Sequence, residues 1–129
     1  MILVDSSVWI DYFNGRQTIE TDTLDSLLGR QSVLTGDLVL IKVLQGFHEK
    51  EYQTAQKLFE ALEIRNLAGR EIALQAARNF QTLRANDIPL PNITDMIVGT
   101  YCIVHTLPLL HSTRDFEIIE QTLGLLVVR

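Results

Sequence analysis

No stretch of this sequence reaches the roughly 18 consecutive apolar residues that a membrane-crossing helix needs, so no transmembrane span is expected. The N-terminus carries neither a basic leader nor a small-residue cleavage site, and no secretory signal peptide is expected. Cysteine occurs once, at Cys102, so no internal disulfide can form, and the apolar residues around it predict a buried free thiol. Together these absences predict a cytoplasmic protein with no membrane partner. Basic side chains are in the minority, 11 Lys and Arg against 16 Asp and Glu. The net charge of −5 argues against a protein that grips nucleic acid by a broad basic surface. It suits an enzyme whose acids bind a cation that in turn meets phosphate. His48, His105 and His111 share no metal-ligand spacing; the first two read as structural or exposed, His111 as a rim residue. Internal repeats, low-complexity tracts and linkers are also missing, so residues 1–129 read as a single domain.

What is present begins at the first residue. Ile2, Leu3 and Val4 form an apolar run too short for a helix, the pattern of a strand buried on both faces. Asp5 follows at once, then Ser6 and Ser7, suited to capping a helix, and an amphipathic turn from Val8 to Phe13 that Asn14-Gly15 stops. In open parallel α/β sheets the carboxyl ends of the strands form the ligand crevice, so Asp5 stands where such a fold does its chemistry. A helix-capping Asp is the plain alternative. Ser7 stands where a haloacid-type phosphatase needs a second Asp, and the closing Leu125–Arg129 segment lacks the Lys of a phosphotransfer receiver. A metal nuclease remains, and it requires further acids.

The same strand–turn–helix rhythm repeats along the chain and predicts a parallel sheet. Helices are expected over 18–28 with Gly29 as its stop, over 38–47, 49–62, 71–85 and 95–105, and over 116–121, ended by Gly124. Short strands are expected at 32–34, 63–67, 107–110 and 125–128. The helix from Leu38 is apolar all round, which predicts burial, except for Lys42 one turn in. Lys42 is either a snorkelling side chain or a cation held by acids of the crevice. Thr94 is the expected cap of the helix that carries Asp95 in its first turn, where the helix dipole favours a carboxylate. Asp115 opens the helix after the fourth strand. Arg78 and Arg84 lie outside the apolar stripe of their helix and are expected in solvent.

The opening Val4-Asp5-Ser6-Ser7-Val8-Trp9-Ile10-Asp11 resembles the start of the PIN-domain ribonucleases, most closely the VapC toxins of bacterial toxin–antitoxin pairs. The resemblance continues through Thr35-Gly36-Asp37-Leu38, Val43–Phe47, Ile93-Thr94-Asp95 and Leu109–Phe116, and so covers essentially the whole chain. It implies a three-layer α/β/α fold, a Rossmann-like sheet of about five mainly parallel strands. It further implies endoribonuclease activity with Mg2+, or Mn2+, as cofactor, a VapB-type antitoxin as partner, an RNA substrate and a homodimer. Carried over residue by residue, the catalytic and metal-binding acids are Asp5, Asp95 and Asp115, supported by Ser7 and Arg114. Two positions depart: Lys42 stands where the family has a Glu, and Thr113 where it commonly has a further acid. The first exchange reverses a charge inside the site, and it implies impaired catalysis or a silent module that binds an antitoxin or RNA.

Overall fold

The structure, a computed structural model, describes residues 1–128. The opening apolar run forms strand β1 (Ile2–Val4), with Leu3 and Val4 fully buried. β1 lies inside a parallel sheet between β2 (Val33–Gly36) and β4 (Leu109–Leu110), and β3 (Glu63–Arg65) lies outside β2. Leu3 pairs with Leu34 on one side and Leu109 on the other, so three leucines run across the sheet centre.

A parallel sheet has both faces to cover, and the helices divide accordingly. In the first group, α1 (Ser6–Phe13) packs on α2 (Ile19–Gly29) and α3 (Asp37–Leu44), and α3 on α4 (Glu49–Glu60). In the second, α6 (Ile93–Val104) packs against both α5 (Arg70–Ala85) and α7 (Arg114–Leu123). The result is the expected α/β/α sandwich. Trp9 anchors the first layer, edge-on to Phe59 at 4.9 Å and stacked on Phe13 at 5.7 Å. Such offset and edge contacts add to the large apolar area these rings bury. In the second layer Gly99 lets α6 approach Ile119 of α7 closely, since a Cβ there would stand 3.1 Å from that side chain.

Several expectations are corrected. The sheet has four strands among the described residues, not about five, because the segment 125–128 makes only a parallel bridge, Val127 to Leu109. Asp5, rather than Ser6 or Ser7, caps α1, as its carboxylate already accepts from the Ser7 amide at 3.1 Å. Asn92, rather than Thr94, caps α6 for the same reason. Gly29 is the last residue of α2, and the left-handed backbone beyond it falls on Gln31 at φ 54°. α3 is not buried all round: Val39 and Val43 face the core, whereas Ile41 is 60% exposed. Apolar content alone does not tell whether a helix has neighbours on every side, and α3 lies at the rim. Cys102 is buried as expected, and burial, followed by the charge of Asp5, pushes its thiol up to about 12.

Candidate active site

The chain returns to one edge of the sheet after each strand, and polar residues collect there. Asp5 directly follows β1, and is 2% exposed. One of its oxygens, Oδ2, accepts from the Ser7 amide at 3.1 Å and from Ser7 Oγ at 2.6 Å. Ser7 Oγ in turn accepts from the Ser112 amide at 3.4 Å, so this hydroxyl joins the end of β1 to the loop after β4. Asp5 is thus both a helix cap and a carboxylate fixed at the crevice.

Asp95 enters from the first turn of α6. Its side chain is 6% exposed, and both oxygens have partners: Lys42 Nζ at 3.5 Å from Oδ1, Asn92 Nδ2 at 3.0 Å from Oδ2. Asn92 also donates to Asp115 Oδ2, from Nδ2 at 3.2 Å and from its backbone amide at 3.1 Å. Its own Oδ1 accepts from the Asp95 amide at 2.8 Å. One asparagine therefore caps the helix and clasps two of the three acids together. Sequence reading missed this role. The available signal was a cap-forming Asn three residues before Asp95, but its second partner lies 23 residues away.

The electrostatics agree with this proximity. The pKa of Asp95 is raised, first by burial and next by the charge of Asp5, with Asp115 adding to both; Lys42 and the Asn92 hydrogen bond pull it down without cancelling the rise. Asp5, Asp95, Asp115 and Lys42 thus lie in one electrostatic neighbourhood. Of the two readings of Lys42, the cation held by an acid describes its tip, and the snorkelling stem describes its 40% exposed side chain.

The remaining candidates divide. Ser7 touches Asp5 as described. Arg114 is the exposed first residue of α7, beside Asp115. Thr113 occupies the cap position of α7 but its side chain makes no cap hydrogen bond, and Oγ1 is buried without a protein partner. Its amide donates to His111 Nδ1 at 3.2 Å. Asp37 is not part of the group: its Oδ1 accepts from the amides of Leu38 at 2.8 Å and Leu67 at 3.1 Å, which ties α3 to the segment after β3. A cavity of about 520 Å³ lies beside the β4 end, lined by Leu110, His111, Ser112 and Glu117 among others, but it does not include the three acids.

The donor set is all oxygen, the right kind for Mg2+ or Mn2+. The arrangement is not. Among the described residues no three acidic, histidine or cysteine side chains are grouped so that they could hold a metal ion. An ammonium is already on Asp95, and Asn92 draws donors onto Asp95 and Asp115. As folded, these residues do not fit a resident divalent cation.

Comparison with known proteins agrees with the fold. Ribonuclease VapC11 of Mycobacterium tuberculosis and VapC ribonuclease Mb1587 of Mycobacterium bovis are each 23% identical to the chain over 128 residues, covering 97% of it and 96% of their own length. DNA-bound VapBC from Salmonella typhimurium contains a chain that superposes with a TM-score of 0.76 at 12% identity, over 99% of this chain and 98% of that one. FitAcB from Neisseria gonorrhoeae gives a TM-score of 0.75 at 16% identity, over 100% and 97%. No family model matches the chain. The fold is that of the VapBC and FitAcB chains it superposes on, and the similarity to the two VapC ribonucleases extends over nearly the whole sequence.

Proposed function

We propose that this chain is the endoribonuclease toxin of a VapBC-type pair, acting in the cytoplasm on RNA phosphodiester bonds and inhibited by a VapB-type antitoxin. The observation that carries the reading is the convergence of Asp5, Asp95 and Asp115 at the carboxyl edge of a sheet whose fold is that of VapC. Three acids gathered from separate elements concentrate negative charge, an arrangement that a fold retains at a cost in stability. Mg2+ or Mn2+ is the cofactor the resemblance implies, and these acids would admit such an ion only once the Lys42 ammonium leaves Asp95. The chain's own part is to hold Asp5 through Ser7, to hold Asp95 and Asp115 through Asn92, and to offer Arg114 at the rim as a phosphate partner. We also propose a homodimer, since small apolar-rich domains commonly pair isologously.

The test is cleavage of a mixed-sequence RNA by the purified chain, with Mg2+ or Mn2+ and with a chelator. Slow, chelator-sensitive cleavage that disappears in Asp5→Asn is expected. Absence of cleavage in the parent and in variants that bind metal would remove the nuclease assignment. A second reading, a silent module that binds an antitoxin or RNA, is favoured by the Lys42–Asp95 contact.

A further inference from the structure

We propose that Lys42 is a tethered occupant of the cation position: its ammonium, ion-paired to Asp95, fills from within the place a divalent ion would take, and keeps such ions out. The inference deepens the reading above, because it concerns the regulation of the same acids, and it rests on that reading.

Lys42 stands in the last turn of α3, and from there Nζ reaches Asp95 Oδ1 at 3.5 Å across to a different element. Asp95 is nearly buried and has Asp5 and Asp115 as like-charged neighbours. A buried carboxylate beside two others needs positive charge, and Lys42 supplies it without any ligand. Asn92 completes the arrangement by placing amide hydrogens on Asp95 Oδ2 and Asp115 Oδ2. An entering ion would have to displace the ammonium and part of this hydrogen bonding, and would meet a repelling unit charge on the way. The pair is nonetheless releasable. The Lys42 side chain is 40% exposed, so its tip can return to water at modest cost, as partly exposed ion pairs do. Asp95 is then left uncompensated, which is the condition under which a divalent ion, or a basic side chain of a partner, would be taken up.

The experiment is Mn2+ binding to the full chain, read by the loss of the free-ion electron paramagnetic resonance signal, which does not depend on cleavage. The parent, Lys42→Ala, Lys42→Gln and Lys42→Glu are compared, with a melting curve for each to establish folding. The parent should bind most weakly. The two neutral variants should bind on the order of tenfold more tightly, the scale of one partly screened charge. Lys42→Glu, which adds a ligand as well, should bind more tightly still. Equal affinity in the parent and in the neutral variants, or no binding by any folded variant at millimolar Mn2+, overturns the inference. Tighter binding without RNA cleavage would leave the inference standing and remove the nuclease reading. Chelator-sensitive cleavage that is the same in parent and Lys42→Glu would do the reverse.

Discussion

At the scale of single residues, Asp95 is a carboxylate held under electrostatic tension. Its pKa is raised in the fold, chiefly by burial and by Asp5, so the folded chain binds the Asp95 proton more tightly than the unfolded chain does. The stabilising contribution is therefore fully present below the unfolded pKa and is lost as pH rises through the folded value. At neutral pH the ionised carboxylate works against the fold. Asp95→Asn should consequently melt at a higher temperature than the parent at pH 7, with the advantage shrinking as the pH is lowered into the carboxylate range. A thermal melt series across that range checks this, and a lower melting temperature at pH 7 would contradict it. The three acids were legible because each follows a strand or starts a helix beside one, which assigns them to the same edge. Asn92 was not, since nothing local indicates that a cap residue also donates to an acid 23 positions on. Lys42 was legible as a lone charge in an apolar helix; its partner could be named only through the resemblance.

At the scale of elements, the turn from β2 into α3 positions Lys42 and is held by a compact lock. A Cβ on Gly36 would overlap the Leu67 side chain, which is fully buried, while the neighbouring Asp37 carboxylate binds the Leu67 amide. Gly36→Ala should destabilise the fold by about 1–3 kcal/mol, as overpacking of a filled core does. Denaturant unfolding measures it, and an unchanged midpoint would show that Leu67 moves aside freely. The strand–helix alternation was readable from apolar runs and breakers, as with Asn14-Gly15 and with Gly124, whose left-handed backbone ends α7. Two readings failed for physical reasons. Residues 125–128 have a strand's composition, yet only Val127 finds a ladder partner in Leu109. Residues 38–44 have a buried helix's composition, yet lie where one side has no layer above it, so Ile41 faces outward.

At the scale of the whole molecule, the acidic balance and the site agree. The net charge of −5 and the clustered carboxylates disfavour a broad electrostatic grip on a polyanion. No described helix is long and apolar enough to cross a membrane. The homodimer expected from resemblance should give about twice the chain mass in light scattering at micromolar concentration; a monomer mass would count against it. The proposed nuclease site would be held quiet by the positive charge of Lys42 on Asp95. The most direct measurement is the initial rate of RNA cleavage by Lys42→Glu beside the parent, each with Mg2+ and with excess chelator. Cleavage should be at least about tenfold faster in the variant, the effect of about 1.4 kcal/mol on the barrier, and abolished by the chelator. A folded Lys42→Glu that cleaves no faster than the parent would contradict this proposal.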